Sequence, residues 1–444
     1  MKTCISTLAA TFAAVAAATV PEVSDVTMSQ SPNRTVTITY SLANGPAVVT
    51  LDIQTNSAEN GWVSIGGENI SGGATEKGVP RGDVNKLVEG DTTHTITWRP
   101  DVSWPDHKVA AGNARAVVTA WATNDTPDYL VVDLSMSSET RCRYYQAVEF
   151  LPGGILSNTA YRTSYMTMRK IRAKNVTWTM GSSGEAGRSS NETSHEVTLP
   201  NNYYMGVFPV TQAQFDAIKG EMTGLSQWNY PLFPTNGVTR PKEEIVYTEI
   251  RGNPANSGDS SYVYPNAPHD YSYIGRIRAR TGVDFDLPSE AQWEYACRAG
   301  HGEGFWGNGT LIASDPIPGR CSENGPDIPG TTISVNIGYG TMRDTSYLGP
   351  TNGTAVVGSY GCNDWGIYDM TGNVLEYCLD WYADDISSLN GAVNATPGSK
   401  RVVRGGSYKH LAYQCRPAWR TGWPDTGSRD GSIGFRLMCR AGLE

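Results

Sequence analysis

From about residue 22 to residue 136, apolar and polar side chains alternate along the chain. Val36, Ile38, Tyr40 and Leu42 in "TVTITYSL", Val49, Leu51 and Ile53 in "VVTLDI", and then "HTITWRP" and "ARAVVTAW" each space apolar residues two apart. Successive side chains of a strand point to opposite faces, so this period buries one face and wets the other. With Gly, Pro, Asn and Asp between the runs, it predicts an antiparallel sandwich of about seven short strands, immunoglobulin- or fibronectin-like, over residues 20–136.

The alternation breaks in "SSETRCRYYQAVEFLPGGILSNTAY", 137–161, which ends on a Gly-rich turn and is read as a linker to a second domain at 162–444. Two helix starts stand out there. Thr211 with Gln214, and Ser289 with Gln292, have the capping-box spacing in which hydroxyl and amide satisfy each other's free backbone N–H groups. After the second start, Trp293, Ala296 and Cys297 fall on one helix face. Elsewhere the second domain is rich in Gly, Asn and Asp, so its helices should be few.

A length of 444 residues suits two cores rather than one. The N-terminus reads Met1-Lys2-Thr3, then an uncharged, Ala-rich run from Ile5 to Val20, which is the pattern of a cleaved secretory signal at 1–19. The chain is therefore expected to be secreted, extracellular or at the cell surface, with no membrane span after signal removal. A net charge of −9 without a basic run argues against nucleic acid.

Export permits disulfides. Of 8 cysteines, Cys4 leaves with the signal, and the rest are Cys142, Cys297, Cys321, Cys362, Cys378, Cys415 and Cys439. Six lie after residue 290, which suits three bridges with Cys142 left over. Eight sequon-like triplets, at Asn33, Asn69, Asn124, Asn175, Asn191, Asn308, Asn352 and Asn394, are candidate glycosylation sites.

No catalytic signature emerges from the residue pattern. The chain has 6 histidines, and "HEVTL" at 195–199 puts Leu199 where a zincin helix needs its second histidine. Neither a Ser nucleophile elbow nor a Gly-Lys phosphate loop occurs.

Six landmarks follow in order: "WTMGS" (178–182), "HEVTLPNNYYMGVFPVTQAQF" (195–215), "DLPSEAQWEYACRAG" (286–300), "GIYDMTGNVLEYCLDWY" (366–382), "RVVRGGSY" (401–408) and "GSIGFRLMC" (431–439). Together they resemble the formylglycine-generating enzyme (sulfatase-modifying factor) family over roughly 162–444. The resemblance implies a C-type-lectin-like α+β domain with little regular secondary structure. It also implies calcium at Asp369, Gly372, Val374 and Glu376, and a second calcium at Asn336, Ile337 and Asp344. Cysteine pairs Cys297 with Cys439 and Cys378 with Cys415 are implied in the same way; Cys321 with Cys362 follows by elimination.

In the oxidases of this family two cysteines after the "RGGSY" turn hold copper(I), a soft ion that prefers thiolates. Here His410 matches the first, and the shortened stretch has no counterpart of the second. Copper is therefore not expected, and no residue is assigned as catalytic. Tyr408, His410, Tyr413, Trp419 and Trp423 fall where the family's substrate groove is built and could stack on glycans or peptides. The resulting expectation is a secreted, non-catalytic structural protein of an extracellular assembly, a fibril subunit that self-associates by exchange of its N-terminal strand "VSDVTMSQ" (23–30). A ligand-display module is the first alternative, and a formylglycine-generating-type oxidase or related metalloenzyme the second.

Overall fold

The computed structural model describes residues 20–71, 78–90, 92–135, 141–185, 187–219, 237–253, 255–256, 258–302, 353–425 and 427–443. The expected signal segment, the second calcium set Asn336, Ile337 and Asp344, Cys321, and the sequons at Asn308 and Asn352 lie outside the described residues.

The N-terminal half folds as the alternation dictates. Strands β1 (Glu22–Gln30), β2 (Val36–Ala43), β3 (Ala47–Ser57) and β4 (Gly61–Ser64) lead to a short helix α1 (Gly67–Ser71). Then come β5 (Arg81–Gly82), β6 (Lys86–Val88), β7 (Thr93–Trp98), the single turn α2 (Pro100–Ser103) and β8 (Ala114–Ala122). One sheet has the order β1-β2-β7-β5; in the other, β3 pairs with β4, β6 and β8. Val36, Ile38, Tyr40, Leu42, Val49, Leu51, Ile53, Ile96 and Trp98 fill the space between them. The sandwich thus has eight strands among the described residues, against about seven expected.

"VSDVTMSQ" is this sandwich's own first strand. It pairs antiparallel with β2 from Glu22↔Ala43 to Gln30↔Val36 and lies at the sheet edge. Strand β3 is buried on both faces: Val49, Leu51 and Ile53 enter the sandwich core, whereas Val48 enters the core of the second domain. Thr50, on the same face as Val48, accepts a hydrogen bond from Trp121 Nε1 at 2.9 Å. Alternation alone would have left that face wet.

Two strands ahead of residue 162 pair into the sheet of the second domain. Strands β9 (Tyr129–Asp133) and β10 (Cys142–Tyr145) belong to its main sheet, because β9 pairs with β11 (Tyr165–Ile171) from Tyr165↔Asp133 to Arg169↔Tyr129. After the hairpin of β12 (Thr177–Met180) and β13 (His195–Thr198) comes β14 (Tyr203–Gly206). Helices α3 (Gln212–Lys219), α4 (Tyr247–Ile250), α5 (Tyr273–Thr281) and α6 (Glu290–Arg298) precede the last strands. Those are β15 (Leu375–Trp381), β16 (Lys400–Arg404), β17 (Arg420–Pro424), β18 (Ile433–Phe435) and β19 (Met438–Arg440). The sheets run β10-β9-β11-β14-β19 and β17-β16-β15-β18.

Both expected capping boxes form. Gln214 N donates to Thr211 Oγ1 and Thr211 N to Gln214 Oε1; Gln292 N and Ser289 N make the same exchange at α6. Every residue of β15 is buried. Leu375, Tyr377 and Leu379 face one core, and Cys378 faces the other, where Trp293, Ala296 and Cys297 of α6 lie. No helix among the described residues is long and apolar enough to cross a membrane.

Candidate functional site

The turn before β15 is built by residues that tolerate left-handed backbone. Asp369, Gly372 and Asn373 all have positive φ, at 56, 72 and 65°. Asp369 Oδ2 accepts the Gly358 N–H at 2.7 Å and Oδ1 accepts from Asn373 Nδ2 at 3.3 Å. Asn373 Oδ1 accepts the Ala355 N–H at 2.8 Å, so the turn is sewn to segment 355–358. Burial pushes the Asp369 carboxyl up to about 6.

Glu376, expected as the acidic calcium ligand, is engaged otherwise. Its Oε1 accepts from Arg436 Nη2 at 2.7 Å, and its Oε2 from Arg436 Nε at 3.0 Å and from Trp293 Nε1 at 2.6 Å. The Glu376 charge is thus balanced by a guanidinium. Among the described residues no group of three or more His, Cys, Asp or Glu is placed to hold a metal ion.

Behind the turn lies a buried ionic network that the sequence reading did not anticipate. Arg420 grips Glu290 with Nε to Oε1 at 2.7 Å and Nη2 to Oε2 at 2.8 Å. Arg404 Nε lies 3.3 Å from the same Glu290, Arg404 also pairs with Glu294, and Arg298 Nε donates to Glu294 at 2.8 Å. Acids on the first turns of a helix meeting arginines on two strands is a tertiary arrangement with no local spacing to reveal it.

The loop after the "RGGSY" turn is closed rather than open. Ser407, with no exposed surface, shares a 2.7 Å hydrogen bond with His410 Nδ1, and the His410 ring lies 5.4 Å from that of Trp419. Burial depresses His410 to about 4, which keeps the imidazole neutral. Lys409 Nζ pairs with Asp430 at 2.8 Å. Cys415 packs under Gly406, where an added Cβ would lie 2.5 Å from its Sγ.

Of the groove residues, His410 and Trp419 come together, and Tyr408 and Trp419 are both buried. Tyr413 is half exposed and lies instead against Gly187, while Trp423 donates its indole N–H to Ser428 O at 3.0 Å. Arg416, not singled out from the sequence, pins the loop carrying Gly187. It donates to Glu185 Oε2 at 2.5 Å, to both Glu192 oxygens at 2.9 Å and to Gly187 O at 3.0 Å.

Of the cysteines expected to pair, Cys297, Cys362, Cys378, Cys415 and Cys439 lie among the described residues and Cys321 does not. Cys297, on α6, lies in the core and donates to Met370 O, and burial pushes its thiol up to about 12. Cys439 enters the opposite core, since on β19 it is Met438 that faces the cluster holding Cys297. Cys378 and Cys415 are likewise buried, Cys362 is exposed, and Cys142 is half-buried.

Among the sequons, Asn33, Asn124 and Asn175 are exposed. The amide of Asn394 is buried and donates to Trp381 O at 2.8 Å, that of Asn191 donates to the Tyr382 hydroxyl at 2.6 Å, and that of Asn69 to Ile65 O at 2.6 Å. These three nitrogens already serve the fold.

Comparison with known proteins finds relatives of this chain. A formylglycine-generating enzyme of Thermomonospora curvata is 32% identical over 198 residues, covering 41% of this chain and 59% of the relative. One from Streptomyces coelicolor is 34% identical over 167 residues, covering 35% of this chain and 47% of the relative. The matched segments thus span about half of each of these enzymes. The serine/threonine-protein kinase pkn1 of Chlamydia caviae is 36% identical over 263 residues, 58% of this chain and 36% of that protein. Among solved structures, PvdO from Pseudomonas aeruginosa aligns with a TM-score of 0.43 at 22% identity, covering 62% of this chain and 94% of that one. Treponema denticola variable protein 1 aligns at 0.42 and 24%, covering 62% and 95%. The family profile described as Sulfatase-modifying factor enzyme 1-like domain matches residues 160–441, more than half of the chain, and the chain belongs to that family.

Proposed function

We propose that this chain is a secreted, non-catalytic member of its family, in which the C-terminal domain serves as a scaffold in an extracellular assembly. The observation that carries this reading is the loop at 407–415. His410 stands where the family's oxidases supply the first copper thiolate, and it is buried, neutral, bonded to Ser407 and set beside Trp419. Cys415 is buried and packed under Gly406. An imidazole already bonded inside a packed loop is a poor substitute for two thiolates at copper(I). Incubation with copper(I) and a cysteine-containing peptide tests the reading, and unchanged peptide is expected.

Self-association through β1 belongs to the same proposal. The strand is at a sheet edge and most of its side chains are exposed, so exchanging it would disturb few core contacts. Electron microscopy and light scattering of the secreted protein, with and without residues 20–30, test this; monomers under all conditions would remove the polymer from the account. A structural calcium at the Asp369 turn is a further part, supported by the buried carboxyl of Asp369 in a tight turn of positive-φ residues. Melting should rise with calcium in the native chain and not in Asp369→Asn.

A second reading, an oxidase of the formylglycine-generating type, is favoured by the relatives themselves. The copper and peptide experiment separates the two.

A further inference from the structure

Strand β1 carries one residue more than its pairing with β2 needs. Ser24 stands opposite Ser41 and Thr27 opposite Thr39, so three steps along β1 answer two along β2. The surplus forms a β-bulge. Asp25 adopts left-handed backbone at φ 53°, and Ser24 Oγ donates to its Oδ2 at 3.0 Å. Pairing resumes at once, with the Thr27 and Thr39 hydroxyls 2.6 Å apart.

Alternation shows which residue is surplus. Val23 and Met28 both pack against the sandwich core, although residues an odd number of positions apart on a regular strand face opposite sides. Without Asp25 the run reads Val23-Ser24-Val26-Thr27-Met28, an unbroken alternation in which Val26 would stand opposite the buried Tyr40. In the folded chain Val26 is 38% exposed instead. Asp25 therefore interrupts a strand that is otherwise regular, and the packing of one valine is given up for it.

What the bulge changes is the open side of β1. The strand ends its sheet, and among the described residues no strand pairs with its outer edge. Its sequence, EVSDVTMSQ, holds neither Pro nor Lys, the residues that commonly keep an edge from pairing. A flat strand of this kind offers its free N–H and C=O groups as a template to the same strand of a second molecule, whereas a bulge interrupts that row and bends it. We infer that the Asp25 bulge is a guard on the β1 edge, barring edge-to-edge pairing with a second copy of this chain. The inference deepens the self-association reading and rests on it for its consequence: with edge pairing barred, association through β1 proceeds by exchange of the whole strand.

Light scattering of the intact chain at matched concentrations tests the guard. Deleting Asp25 should raise the weight-average mass about twofold or more over that of the native chain. Asp25→Gly, which keeps the extra residue and its left-handed backbone but removes the charge, should match the native chain. A deletion variant with the native mass, or an Asp25→Gly chain that associates as strongly as the deletion, would overturn the inference. Should the deletion not fold, amide-resolved hydrogen exchange on the native chain decides: β1 amides that point away from β2 should exchange at a rate independent of protein concentration, and protection that grows with concentration would overturn the guard. A native chain that never polymerises, beside a deletion that associates, removes strand exchange and supports the guard.

Discussion

The guanidinium of Arg436 and the carboxylate of Glu376 meet in a two-point ion pair, Nη2 to Oε1 at 2.7 Å and Nε to Oε2 at 3.0 Å, with neither side chain reaching water. The pair ties β15 to the segment after β18, and Arg436 continues to Gly206 O and Tyr368 O.

Removing one partner strands the other's charge in the core. Arg436→Met should cost about 3–5 kcal/mol of unfolding free energy, measured by urea denaturation. The double variant Arg436→Met with Glu376→Gln should recover part of the loss, because no bare carboxylate is then buried.

Gly406 has φ +67 and faces Cys415 Sγ across a gap that a methyl group would reduce to 2.5 Å. Gly406→Ala therefore combines backbone strain with overpacking, and a loss of about 2–4 kcal/mol is expected from chemical unfolding. Pairing it with Cys415→Ala should recover only part of the loss, because Gln414 O and Cys415 Cα would still lie 2.7 and 3.0 Å from the added Cβ.

His410 is held neutral, its affinity for protons depressed by burial to about 4 from an ordinary 6.5. The unfolded chain binds the proton more readily between these values, so stability should drop as pH falls from 6.5 towards 4 and be level above that range. The native chain minus His410→Gln isolates the effect, at about 2–3 kcal/mol between pH 7 and pH 4. Identical pH profiles of the two proteins would contradict the burial argument.

Val48 is fully buried in the core that the sandwich shares with the second domain. Leu443 N donates to Thr123 O at 2.7 Å and Tyr144 N to Asn85 O at 2.9 Å across the same contact. Calorimetry should accordingly show one unfolding transition for both halves. Val48→Asp should split it in two or lower stability by about 3 kcal/mol; two transitions in the native chain would show that the shared core does not couple them.

Local rules reached the sandwich strands and both capping boxes, because side-chain period and hydroxyl-amide spacing act within a few residues. The family resemblance reached the second domain. That β9 and β10 join the sheet of β11 was not legible locally, because only their partner, β11, assigns them to it. The same limit hid the arginines. Arg404, Arg416, Arg420 and Arg436 are buried against acids 60 or more residues away, at Glu294, Glu185, Glu290 and Glu376. A sequence motif could place Glu376 in a turn but could not say that a guanidinium would meet it there.

The central claim is that the loop at 407–415 is packing rather than a copper site. The most direct measurement titrates the purified, reduced chain with copper(I) against a competing chelator, then supplies oxygen and a cysteine-containing peptide and follows the peptide by mass spectrometry. The account predicts no tight copper(I) equivalent and an unchanged peptide thiol. Stoichiometric copper(I), lost in Cys415→Ser or His410→Ala and accompanied by conversion of the peptide cysteine to an aldehyde, would contradict it.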